Sequence, residues 1–187
     1  MKKNLLKSLC LFLVMLATVS CSDESNDAVQ MNNASDFNVK NTEKDVWEGV
    51  IGVVNGKNFE ILPEKRDAII AEFESILSSE GGDNVKLATL EIVEKPSTNS
   101  PGDLGYMIIG SNNDGISIGK MVEKSFSEDR NAFVFTLFGG ASGRVSTSCW
   151  GCSRGCFLRH YRIDGQFIPY CDEGVCGYFC TKKETEK

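Results

Sequence analysis

Histidine is almost missing from this chain: His160 is the only one in 187 residues. Any mechanism that needs an imidazole base must use it. It lies in Arg159-His160-Tyr161-Arg162, among positive neighbours and with no serine or cysteine nearby in a nucleophile context, so a packing or surface role is expected. A glycine-rich phosphate loop and a paired His-Glu zinc motif are both lacking, which removes the common nucleotide and metalloprotease signatures. Basic charge is short as well, with 20 lysines and arginines against 26 acids and a net charge of −6. A chain this acidic lacks the basic face that nucleic acid requires. The unbroken apolar run at residues 9–17 has nine members, well under the roughly 18 that cross a bilayer. Residues 110–121 fit a calcium loop at Asn112, Asp114 and Gly115, but Gly110 and Met121 fall where carboxylates belong, so a turn is expected there. With no catalytic signature, a non-enzymatic protein is the expectation.

Cysteine, by contrast, is concentrated. Cys149, Cys152, Cys156, Cys171, Cys176 and Cys180, six of the eight, fall within 32 residues. Six cysteines in an exported chain read as up to three disulfides, and spacing leaves all 15 pairings open. Two other chemistries compete. Cys149-x2-Cys152 with Cys176-x3-Cys180 has separations a zinc site accepts. Cys149-Trp150-Gly151-Cys152 is also the spacing of redox-active pairs, though no amphipathic helix follows it. An oxidising compartment favours disulfides, so no cofactor is expected and zinc is the alternative. Size argues the same way. Residues 144–187 are too few to bury a self-sufficient core, and a bridge closing a loop of about 15 residues, such as one from Cys156 to Cys171, contributes roughly 3 kcal/mol. Asp164-Gly165 marks a small hairpin tip within this segment.

Lys2, Lys3 and Lys7 precede the apolar run and Ser20-Cys21 closes it, which is the pattern of a secretory signal peptide over residues 1–20. The stretch resembles a bacterial lipoprotein leader, cut before a cysteine that then carries acyl chains; that cysteine is Cys21, and Thr18 stands where such leaders commonly carry Leu. Ser22-Asp23-Glu24-Ser25-Asn26-Asp27 resembles the acidic tag that sends lipoproteins of the Bacteroidota to the cell surface; a solvated linker is the plainer reading. The likeness implies a membrane partner reached through Cys21 and an outer-membrane location, facing outward or towards the periplasm. Residues 21–45 are polar and read as a flexible tether of roughly 25–30 Å.

Without the leader's three lysines, 17 bases face 26 acids, a balance of −9, divided into −11 over residues 22–143 and +2 over residues 144–187. The acidic middle, residues 46–143, has ordinary globular patterning. Apolar runs at 50–54 and 59–61 flank Asn55-Gly56, a strong hairpin signal. Pro63 and Glu64 open a helix whose apolar positions are Ile69, Ile70, Phe73, Ile76 and Leu77, and Gly81-Gly82 ends it. Runs at 85–94, 104–109, 116–122 and 132–138 follow, separated by turn residues and by a loop at 96–103. The expected fold is therefore α+β, one helix packed on an antiparallel β-meander, followed by a small disulfide-rich β module at 144–187. The order of elements is similar to cystatin-like folds.

Cys149, Cys152, Gly155-Cys156, Tyr170-Cys171 and Cys180-Thr181-Lys182 resemble the tail of small Bacteroidota lipoproteins that join a short α+β domain to a Cys-rich terminus. That resemblance implies no activity. The expectation is a cell-envelope lipoprotein with a binding or structural role, its partner an extracellular protein or glycan. An inhibitor of extracellular proteases, or a redox or zinc-binding protein using the Cys-rich segment, are the alternatives. Arg154, Arg159 and Arg162, interleaved with Phe157 and Tyr161, form the candidate contact patch. The competing reading packs these bases against the acidic middle.

Overall fold

The computed structural model describes residues 45–153 and 155–186; the leader, Cys21, the tether before Asp45, and Arg154 lie outside the described residues. The expected first hairpin forms as β1 (Gly52–Asn55) and β2 (Asn58–Ile61). Asn55 pairs with Asn58, so the turn is Gly56-Lys57, shifted by one residue from the expected Asn55-Gly56. Gly56, at φ 62°, supplies the positive angle needed at its first position.

Helix α1 (Pro63–Ser79) follows at once. Pro63 sits in the first turn, where a missing N–H removes no helical bond, and Glu64 faces the positive end of the helix dipole. Ile69, Phe73, Ile76 and Leu77 make one buried stripe. Glycine sets the stop: Gly81, at φ 106°, donates to the Ser78 carbonyl and Gly82 to that of Leu77, the paired bonds of a Schellman cap.

Next come β3 (Thr89–Ser97), β4 (Ser100–Ser111), β5 (Ile116–Ser127) and β6 (Ala132–Leu137), each antiparallel to the one before. The meander is longer than expected. Residues 96–103, expected as a loop, are mostly strand, with Ser97 opposite Ser100. Pro96 is tolerated because β3 pairs on one side only, and Pro101 lies beyond the stretch of β4 that pairs with β5. At 112–115 the expected turn forms: the Asn112 side-chain oxygen accepts the N–H groups of Asp114 and Ile116, both at 3.0 Å.

Past Gly140 the chain forms α2 (Ala141–Arg144), β7 (Val145–Trp150), β8 (Phe157–Ile163), β9 (Gln166–Asp172), a 3-10 turn at Gly177–Phe179 and β10 (Thr181–Glu186). Here the fold departs most from expectation. β7 pairs with β5, Ile116 opposite Trp150, and β10 pairs with β7, Lys182 opposite Cys149. The boundary drawn at 143/144 therefore falls inside α2, and one ladder runs across it. β1 adds to β6, and the result is an eight-stranded antiparallel sheet plus the two-stranded β8–β9 hairpin. The protein is largely β, not the smaller α+β layer of one helix on four strands. Pairing between distant segments leaves no local mark, which is why the sequence pattern missed it.

This sheet is covered on both faces. Ile108, Ile118 and Val122 pack with the α1 stripe, while Met107, Ile109 and Met121 pack with Leu158, Cys149, Cys156 and Cys176 beneath the hairpin. Alternate side chains of β4 and β5 thus enter two different cores, which explains their uninterrupted apolar runs. Among the described residues no helix is long and apolar enough to cross a membrane.

Candidate functional site

The six clustered cysteines form three bridges: Cys149–Cys171, Cys152–Cys176 and Cys156–Cys180, with Cα separations of 5.6, 5.6 and 5.2 Å. Each sulfur of the first arm, residues 149–156, bonds its counterpart 22 to 24 residues on, so the two arms lie side by side and are joined in order. Cys156 and Cys171, used above to illustrate a 15-residue loop, bond to Cys180 and Cys149 instead. Glycines make the packing feasible. A Cβ on Gly151 would stand 2.9 Å from the Cys156 sulfur, and one on Gly155 would stand 2.9 Å from that of Cys176. Cys156 itself is held at φ 71°, an angle uncommon for any side-chain-bearing residue.

From this anchor β8 and β9 fold back over the main sheet, turning at Asp164-Gly165, both at positive φ as their two-residue loop requires. Strand alternation then sorts the side chains. Leu158 and His160 point at the sheet and are buried. The single histidine is a packing residue: its Nε2 donates to the Lys95 carbonyl at 3.0 Å, and its ring meets Phe167 edge-on at 5.0 Å. Gly105 opposite has no side chain to spare, since a Cβ there would lie 2.7 Å from Nε2. Nδ1 is buried and unpartnered. Burial holds the imidazole below its ordinary value, the hydrogen bond to Lys95 opposes that, and the Lys95 ammonium adds to it. Burial also lowers Lys95, with Arg159 contributing, while the Lys95 ammonium donates to the Leu158 carbonyl at 2.8 Å.

The candidate contact patch is divided between the two faces of this hairpin. Phe157, Arg159 and Tyr161 share the outer face, where Arg159 pairs with Asp172 at 2.7 Å and the ring of Tyr161 lies 5.7 Å from that of Tyr170. Arg162 has the opposite parity. It meets Asp103 at 3.1 Å, lies over Phe167, and exchanges backbone bonds with the Asn99 side chain. Its role is docking against the acidic middle of the chain. Arg154 lies outside the described residues.

Three residues outside that patch are more exposed. Val175, Tyr178 and Phe179, at 76%, 101% and 84% exposure, stand on the short segment that carries Cys176 and leads into Cys180, and Phe157 at 49% approaches Gly174 at its base. The sequence names these residues but gives no period to say which way they face, because a 3-10 turn between two bridged cysteines has neither a strand's nor a helix's alternation.

Elsewhere, chemistry-bearing groups serve joints. Glu80, at the end of α1, accepts from Ser148 and Trp150 of β7 and from Thr185 of β10, while its carbonyl accepts from Lys183. One residue thus ties the helix to both C-terminal strands. Lys120 is buried over the Trp47 ring and donates to the Arg144 carbonyl at 3.3 Å, beside a cavity of about 530 Å³ lined by Asp45, Trp47, Glu72, Leu137 and Arg144. That lining holds no serine, cysteine or histidine. The four cysteines with zinc-like spacing are distributed over three bridges, so in the oxidised chain they offer no thiolate cage. No protein-family model matches the chain, and no characterised protein or solved structure is significantly similar to it.

Proposed function

We propose that the chain is an exported, lipid-tethered binding protein of the cell envelope, without catalytic chemistry, that meets an extracellular protein through the tip of its disulfide module. One observation carries the reading. Tyr178 and Phe179 stand uncovered on a turn held by the Cys152–Cys176 and Cys156–Cys180 bridges. Adjacent exposed aromatics mark interaction surfaces, and rigid aromatics dominate the energetics of protein contacts. Bridges that fix the tip before contact remove much of the ordering cost of binding. A projecting tip suits a recess on a protein better than it suits a small sugar, which binds in a concavity. The tether rests on the leader pattern ending at Cys21 and the acidic run behind it. The cystatin-like order expected from the sequence would carry no activity with it.

The test compares the wild-type chain with Tyr178→Ala/Phe179→Ala on arrays of extracellular proteins and of glycans. Saturable binding to a protein, weakened at least about tenfold in the double variant, is expected, since such anchors are worth about 2 kcal/mol or more. Thermal stability should stay within about 0.5 kcal/mol because both rings are solvated. Equal binding by both chains, or binding to glycans alone, overturns the reading. Detergent-phase partition of wild type and Cys21→Ser checks the tether, which is refuted if both enter the detergent phase equally.

A further inference from the structure

The bridges of the module touch one another. The sulfurs of Cys156, Cys171 and Cys180 all lie within 4.8 Å of one another, although Cys171 is bonded to Cys149 and Cys156 to Cys180. One sulfur of the first bridge therefore stands beside both sulfurs of the other. Disulfide exchange needs a thiolate next to a disulfide sulfur, and solvent access for the opening attack. Access is uneven. Cys180 and Cys171 are half-buried, Cys156 nearly sealed and Cys149 fully enclosed. An external reductant reaches Cys180 far more readily than it reaches Cys156 or Cys149.

We infer that these three sulfurs form a thiol–disulfide exchange site, through which an external dithiol acting at Cys180 opens the Cys149–Cys171 bridge and frees the enclosed Cys149. A thiolate of the dithiol attacks the Cys180 sulfur, the bond to Cys156 breaks, and Cys156 leaves as a thiolate. The Cys156 sulfur attacks that of Cys171, forming Cys156–Cys171 and expelling Cys149, which takes up a proton. The dithiol's second sulfur, as thiolate, attacks the mixed disulfide and releases Cys180, which is also protonated. The dithiol is oxidised to its disulfide, and the protein gains two electrons and two protons, carried as thiols at Cys149 and Cys180.

The consequence is mechanical. Cys149 belongs to β7 of the main sheet and Cys171 to β9 of the hairpin, so their bridge links a strand of one sheet directly to a strand of the other. Exchange cuts that link by reaction at a neighbouring, half-buried sulfur, and replaces it with a bond local to the hairpin. The Cys152–Cys176 bridge stands outside the trio and has its own exposed sulfur at Cys152, so its reduction gives a separate product. None of this depends on what the aromatic tip contacts.

The experiment is limited reduction of the oxidised full chain with dithiothreitol, an acid quench, alkylation, and mass-spectrometric mapping of labels and surviving bridges. The expected product carries label at Cys149 and Cys180 in equal amounts, together with a Cys156–Cys171 linked peptide. Label at Cys156 and Cys180 with Cys149–Cys171 intact overturns the inference, as does label confined to Cys152 and Cys176 until the chain is fully reduced. In Cys149→Ala/Cys171→Ala the acceptor bridge is gone, and label should move to Cys156 and Cys180. Should that variant fail to fold, the wild-type map decides by itself.

Discussion

Helix α1 and the β8–β9 hairpin cover opposite faces of one sheet and are held there by different means. The helix contributes Ile69, Phe73, Ile76 and Leu77 to a wide apolar core, each worth about 1.5–3 kcal/mol by burial alone. The hairpin contributes Leu158, Phe167 and Cys171 to a smaller core shared with the other cysteines, and buries His160. Two strands alone are marginal in water, so this face depends on cross-links that restrict the unfolded chain. Burial keeps the helix in place whatever the redox state, whereas the hairpin's position is conditional on it.

Complete reduction should separate the two faces most sharply. Each bridge closes a loop of 22 to 24 residues and contributes about 3 kcal/mol. Hydrogen exchange on the reduced chain should show β8 and β9 losing protection while β3 to β6 and α1 keep theirs. Simultaneous loss in both regions would abolish the distinction. Phe73→Ala probes the other face and should cost about 3–5 kcal/mol. Urea midpoints should register that loss to a similar extent with and without reductant, because the helix core holds no cysteine among the described residues.

Glu80→Ala sharpens the comparison at the joint between the two regimes. It removes three side-chain bonds to a carboxylate and leaves the buried Ser148 hydroxyl of β7 without that acceptor, at a cost of about 1.5–3 kcal/mol. A double-mutant cycle with Ser148→Ala should show coupling, and additive effects would mean the joint does not transmit. The smallest effect is that of acid. Unfolded, His160 titrates near 6.5; folded, burial and the Lys95 ammonium hold it lower, against the pull of the Lys95 carbonyl. The folded chain thus binds fewer protons, so the contribution is complete above 6.5 and is lost as pH falls from there through the depressed folded value. Melting curves of wild type should fall relative to those of His160→Gln between about pH 7 and about pH 5, and parallel curves would exclude it.

What could be read from the sequence was local. Pro63, the apolar stripe and Gly81-Gly82 delimit α1 because capping and periodicity act within a few residues. Asp164-Gly165 fixes its hairpin for the same reason. Cystine formation was legible from the number and compartment of the thiols, but their order of pairing was not, since it depends on two arms meeting in space. The addition of β7 to β5 and of β10 to β7 was hidden likewise, while for His160 the sequence left packing and surface roles open and the fold buries it. Of the contact patch, Phe157, Arg159 and Tyr161 could be grouped by alternation, but Arg162 turns inward to Asp103, and the prominent Tyr178 and Phe179 follow no period at all.

All three cross-links join a residue before the Asp164-Gly165 turn to one after it, and none lies wholly on one side. A proteolytic nick at the exposed Asp164-Gly165 loop would therefore release no fragment. The severed ends would stay fastened at three points, with β10 still seated beside β7, and a single cut would leave the fold standing.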